Sequence, residues 1–167
     1  METHKLSNTW VLWYHHVNDN NWMEESYTKL FKIKTIEDFW SIMNTIKTYT
    51  AGMFFLMRDD IFPRWEDINN LDGGFWSFRT TKKDSDQIWE NLLIALIGNT
   101  LTKNPEDMEM ITGISISPKI NNCIIKVWNN SSNRKDVNIL NNNIYGIELE
   151  DSFYKKHQEQ SDFNKLT

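Results

Sequence analysis

The sequence predicts an α+β fold, an antiparallel sheet with helices packed on one of its faces. Segments rich in β-branched and aromatic residues recur without the strict strand–helix alternation that a parallel sheet needs. Two other segments carry apolar residues at helical spacing, each opened by a polar residue suited to capping. No linker, repeat or composition change divides the 167 residues, a length that suits one domain with one sizeable core.

The elements follow in order. Thr9–His16 (TWVLWYHH) reads as an aromatic strand, followed by the polar loop NDNN. Lys29–Lys34 is a second strand. Thr35 then caps a helix, with Asp38 in a capping-box position and Phe39, Ile42, Met43 and Ile46 forming a core stripe to about Lys47. Gly52–Arg58 is a strand, and Asp59–Gly74, with Pro63, Gly73 and Gly74, is a long loop of the kind that carries function. Phe75–Thr81 is the next strand. A helix then opens at Asp84 or Ser85 and closes at Gly98 as C-terminal cap, with Ile88, Trp89, Leu92, Leu93 and Leu96 facing the core. Glu109–Ser117 and Asn122–Trp128 form a pair of strands around a polar turn. A third helix is expected near Arg134–Leu140, and strands at Ile144–Glu150 and Ser152–His157. The polar ends, about residues 1–5 and 158–167, are expected to be mobile.

Bulk properties narrow the function. The formal charge is −5 and the pI about 5.4, whereas a general nucleic-acid binder is usually basic, so any nucleic-acid contact should be local and pocket-like. No apolar run reaches the roughly 18 residues of a membrane span, and the start lacks the apolar core of a signal peptide. Cys123, the single cysteine, has no internal disulfide partner, which fits a reducing compartment, cytoplasm or nucleus. His4, His15, His16 and His157 lack metal-ligand spacing, and there is no phosphate-binding glycine loop or nucleophile motif, so neither catalysis, a metal nor a cofactor is expected.

Tryptophan is the outlier, with 8 in the chain. Trp10, Trp13, Trp76 and Trp89 fall on strands or on a helix core stripe, where burial explains them. Trp22 in NDNNWMEE, Trp65 in FPRWED and Trp128 at the end of CIIKVW stand at loops or strand ends, where ligand rims form. Each alone also fits a small surface cluster, but together they suit a stacking site. Glu66 beside Trp65 adds chemistry. A carboxylate accepts from the adjacent N1–H and N2–H donors of guanine, and N7-methylation makes that base cationic, favouring both the carboxylate and two indole faces.

At these residues the chain resembles the eukaryotic translation initiation factor 4E family of mRNA cap-binding proteins. HKLSNTWVLWY, NNW, IEDFW, PRWED, GGFW, LIALIG, IIKVW and NRKDV carry the likeness, from His4 to about Val137. It implies a curved antiparallel sheet with about three helices on its convex back and the cap slot on its concave face. It places the 7-methylguanosine base between Trp22 and Trp65, Glu66 on the guanine edge, the Trp65 amide on O6 and Trp128 against the N7-methyl group. Partners implied are capped mRNA and a scaffold or repressor of the initiation factor 4G type, met by a monomer and with no membrane involved.

The likeness also has departures. Phe75 follows the double glycine where the family has a basic residue, and the hairpin reads SPKINNCIIK where the family has a basic cluster. Lys119 is left as the main cation for the cap triphosphate. Lys126 lies on the Trp128 face of its strand but off the family's position. Cap affinity is therefore expected to fall only gently with salt.

A second surface is expected on the helices. Ile36 and Trp40 flank the first core stripe, and Ile94 points away from the second. The resemblance places partner binding at His4, Ile36, Trp40, Ile94 and Gly98, although Glu90 replaces a leucine and Asn91 an acid. Two rivals remain: a single-strand RNA or protein-interaction module without cap selectivity, and a cap-binding repressor that recruits no scaffold.

Overall fold

The computed structural model describes residues 2–158. Its strands are β1 (Lys5–His15), β2 (Tyr27–Thr35), β3 (Met53–Arg58), β4 (Gly74–Thr81), β5 (Ile111–Pro118), β6 (Asn122–Asn129) and β7 (Phe153–Lys156). They form one curved sheet in the order β2-β1-β3-β5-β6-β4-β7, with every neighbouring pair antiparallel. Two helices, α1 (Ile36–Thr45) and α2 (Lys82–Ile97), pack on one face.

Alternation along the strands sorts side chains into two apolar layers. Trp10 and Leu12 of β1, Phe54 and Leu56 of β3, Trp76 and Phe78 of β4, Ile114 and Ile116 of β5, and Ile125 and Val127 of β6 meet Phe39, Ile42, Trp89, Leu92 and Leu96 of the helices. This is the main core. On the opposite face lies a smaller cluster of Phe55, Met57, Ile61, Phe75 and Trp128, with Trp13, Tyr27 and Met53 at its edge. An apolar cluster on the face without helices is the floor of a ligand slot in the making.

The caps follow local chemistry. Thr35 Oγ1 accepts from the Asp38 amide at 3.0 Å while the Asp38 carboxylate accepts from the Thr35 amide at 3.0 Å, the reciprocal capping box. Helix α2 starts earlier than expected, because Thr81 rather than Asp84 or Ser85 is its cap. Gly98 does cap α2, but with φ −82°; the left-handed turn is made by Asn99 at φ 56°, which asparagine tolerates.

Two expectations need correction. The helix near Arg134–Leu140 is only a 3-10 turn, Val137–Ile139, capped by Asp136, with Val137 and Ile139 packed on the main core. Its Asn-rich continuation cannot sustain an α-helix. Ile144–Glu150 is not a strand. It turns through Gly146 at φ 84° into the 3-10 turn Leu149–Asp151, anchored by Ile144, Ile147 and Leu149. Near the amino end, the His4 amide donates to the Glu37 carboxylate at 3.1 Å, and Lys5 opens β1. Of the expected mobile tail, 159–167 lies outside the described residues.

Candidate functional site

The slot opens on the helix-free face, with a volume of about 1170 Å³. Trp22, Trp65, Glu66, Trp128 and Lys119 all line it, though they come from the β1–β2 loop, the loop after β3, β6 and the β5–β6 turn. The fold thus gathers every base- and phosphate-contacting residue expected from sequence.

Each is held by local chemistry. The loop with Trp65 and Glu66 is tied by its own side chains. Asp67 accepts from the Phe62 amide at 2.9 Å and from the Asn69 amide at 2.8 Å. Buried Asn70 donates from Nδ2 to the carbonyls of Phe62 and Arg64, at 3.2 and 2.8 Å. This brackets Trp65 in a fixed turn and leaves it half-buried. Asp67 is therefore a loop clamp. Glu66 is exposed, its carboxylate 3.2 Å from the Arg64 guanidinium.

Trp22 lies flat on the His15 imidazole, with centroids 4.2 Å apart and planes 2° from parallel. One indole face is covered and the ring remains 48% exposed. His15 is itself buried, with Nε2 2.8 Å from the Asn21 carbonyl and Nδ1 3.0 Å from that of His16. It anchors the NDNN loop at the residue before Trp22. Sequence reading missed this role, for which the only signal is a polar ring on the slot-facing side of an aromatic strand.

Trp128 is no rim residue. It is 7% exposed, its indole N–H donates to Ser115 Oγ at 2.9 Å, and Phe55, Phe75 and His157 surround it. It forms a wall. His157, 5.0 Å from Trp128, is buried and its pKa is pushed down to about 4, first by burial and then by Lys126. It is neutral at physiological pH, so it adds no imidazolium charge to this wall.

The double glycine has a steric reason. A Cβ on Gly73 would strike the Asn129 carbonyl and one on Gly74 the Lys155 carbonyl, so β6 and β7 can close on β4 only over glycine. Asn129 completes the junction, accepting from the Gly74 amide at 3.0 Å and the Tyr154 hydroxyl at 2.7 Å.

The charge lining departs from expectation. Besides Lys119, the slot is lined by Arg79 of β4, Lys126 of β6 and Lys155 of β7, with Asp151 as an acidic neighbour. Lys126 Nζ sits over the Phe75 ring at 4.1 Å, and burial, then Lys119 and Lys155, push its pKa down to about 8. Arg134 is turned away, bonded to Asp107. A gentle salt response resting mainly on Lys119 no longer fits this lining.

On the other face, Ile36, Trp40 and Ile94 are 42, 48 and 45% exposed although they stand on core-packed helices. His4 Nδ1 lies 2.7 Å from the Glu37 carboxylate beside Ile36, and Gly98 is exposed at the end of α2. Glu90 is half-buried on α2.

The family model for eukaryotic initiation factor 4E matches residues 5–166. The chain belongs to this family. Translation initiation factor 4E-3 of Caenorhabditis elegans is 30% identical over 148 residues, covering 81% of this chain and 57% of that protein. The Saccharomyces cerevisiae factor 4E is 30% identical over 142 residues, 79% of this chain and 64% of its own. The chain thus spans a little over half of the first relative and less than two thirds of the second. Among solved structures, the C. elegans factor 4E-3 in complex with the 4E-binding protein Mextli and cap analog superposes with a TM-score of 0.80 at 26% identity, covering 96% of both chains. The Ascaris suum factor 4E-3 with m7G cap gives 0.73 at 29% identity, covering 82% of this chain and 79% of that one.

Proposed function

We propose that this chain is a translation initiation factor that binds the 7-methylguanosine cap of mRNA. The methylated base stacks on the open face of Trp22 and on Trp65, and Glu66 exchanges its contact with Arg64 for the guanine N1–H and N2–H donors. Trp128, backed by a neutral His157, lies against the N7-methyl group. The observation that carries the reading is convergence: residues 22, 65, 66, 119 and 128 line one slot although they come from separate elements. The resemblance to structures solved with cap ligands supports it. The helix face, with His4, Ile36, Trp40, Ile94 and Gly98, takes a scaffold or repressor of the initiation factor 4G type through a helical motif. The work is binding, not catalysis, in the cytoplasm.

Tryptophan fluorescence quenching tests the reading, with 7-methyl-GTP and GTP titrated side by side. Binding of the methylated nucleotide should be tighter by at least about tenfold, because charge is added to a double stack. Equal affinities would overturn cap recognition in favour of general nucleotide or single-strand binding.

A further inference from the structure

We infer that the phosphate chain of the capped ligand crosses the sheet over Lys126, between Arg79 and Lys155, instead of following the β5–β6 hairpin. This rests on the cap reading and assigns the part of the slot where this chain lacks its family's basic positions.

The registers define the ground it crosses. Phe75 of β4 is opposite Trp128 of β6 on one side and Lys155 of β7 on the other. One step along the same faces, Ser77 is opposite Lys126 and Phe153, and Lys126 is opposite Ser115 of β5. One step further, Ile124 lies between Arg79 and Ser117. Lys126 is therefore the next slot-facing residue along β6 after the Trp128 wall, with a serine on each neighbouring strand. Lys155 stands above this row and Arg79 below it, and all of them line the slot. A phosphate attached to a base lying against Trp128 meets this row first.

The chemistry of the row calls for an anion. Lys126 is largely desolvated over Phe75, and among the described residues neither it nor Arg79, Lys119 or Lys155 forms an ion pair. An unpaired, desolvated lysine with further cations lining the same slot is stabilised by a polyanion. The hydroxyls of Ser77 and Ser117 supply neutral donors beside them. Phe75 stands after the double glycine, and the Lys126 ammonium on β6 lies over its ring, which supports the charge. Lys119 is exposed at the hairpin.

The test is quenching of the full chain by 7-methylguanosine, its monophosphate and its triphosphate, with guanosine as reference. The quantity read is the ratio of triphosphate to nucleoside affinity. Lys126→Met, which keeps the stem over Phe75 but removes the charge, should lower that ratio by about tenfold, as for a lost charge-assisted hydrogen bond, and leave nucleoside affinity within about twofold. Lys126→Arg should retain most of the ratio. Lys155→Gln and Arg79→Gln, at less buried positions, should each lower it by a smaller factor, so the inference stays testable if a Lys126 variant folds poorly. In the wild type the ratio should shrink from pH 7 to pH 9 as Lys126 loses its proton. Lys119, Arg79, Lys155, Asp151 and the neutral His157 face it, and division by the nucleoside affinity cancels titration of the base. This shrinkage should be absent in Lys126→Met. A ratio unchanged in Lys126→Met and abolished in Lys119→Ala would overturn the inference and put the phosphates on the hairpin, as would a wild type that gains nothing from phosphates. If 7-methylguanosine bound no better than guanosine while the ratio still depended on Lys126, the cap reading would fail and the anion row would stand.

Discussion

At the residue scale, the slot divides labour between charge and shape. In the proposed stack Trp22 and Trp65 supply the faces, and removing one deletes half of it. Trp22→Ala or Trp65→Ala should each cost about 1–3 kcal/mol of cap affinity, nearer the upper end because the base is charged. Titration with 7-methyl-GTP checks this, and full affinity in both variants would refute the sandwich. Glu66→Gln should weaken binding and narrow the preference for the methylated base, since the amide keeps one acceptor but no charge. A preference equal to wild type would remove Glu66 from the guanine edge. Lys126 has a cost in stability as well as a use. Its folded pKa of about 8 lies below its ordinary 10.5, so folding disfavours its charged form. That penalty is fully present below pH 8 and is relieved as pH rises toward 10.5. Lys126→Met should therefore raise stability at pH 7 by roughly 1–3 kcal/mol, with the advantage fading by pH 10. Chemical denaturation at the two pH values measures this; a variant less stable than wild type at pH 7 would show that the lysine is held by contacts stronger than its desolvation.

At the element scale, the helices present one side to the sheet and leave apolar side chains exposed on another. Trp40 packs its edge on Phe39, with centroids 5.3 Å apart, but leaves 48% of its surface exposed. Trp40→Ala should abolish capture of a helical peptide of the initiation factor 4G type while leaving cap affinity unchanged, because the sheet separates the two sites. Isothermal titration with both ligands decides it, and lost cap binding with intact peptide binding would reverse the assignment. How far sequence reaches also differs by element. The α1 capping box was legible because it is written in four adjacent residues, and the core tryptophans because strand alternation places Trp10 and Trp76 inside and helical spacing places Trp89 there. Arg79 and Lys155 were not legible as slot residues. Lys155 takes its place from β7 pairing with β4, a register between segments nearly eighty residues apart, and Arg79 from β4 pairing with β6; no local pattern encodes either. Trp128 was misjudged as a rim because the chain beyond it is polar, yet Phe55, Phe75 and His157, from distant parts of the chain, surround it.

At the scale of the whole molecule, electrostatics runs in two directions. The chain carries a net charge of −5, which repels a polyanion at long range. Arg79, Lys119, Lys126 and Lys155 attract it at short range within the slot. Salt treats the two ranges differently. The Debye length shrinks from about 30 Å at 0.01 M to about 10 Å at 0.1 M and 3 Å at 1 M. A domain of this length has a radius of gyration of about 15 Å, so the first tenfold rise in salt mainly removes repulsion from distant acids. Contacts at hydrogen-bond distance in a partly desolvated slot survive that step and weaken only in the second. Affinity for 7-methyl-GTP should thus stay nearly level between about 0.01 and 0.1 M and fall clearly between about 0.1 and 1 M. The nucleoside, without phosphates, should vary little throughout, which isolates the response of the phosphate row from that of the stack. Equilibrium quenching across this range makes the comparison. A flat triphosphate curve up to 1 M would mean that the slot cations do not touch phosphate. A steep fall already below 0.1 M would mean that the distant acids exert no field at the slot and that attraction reaches far beyond the row of contacts.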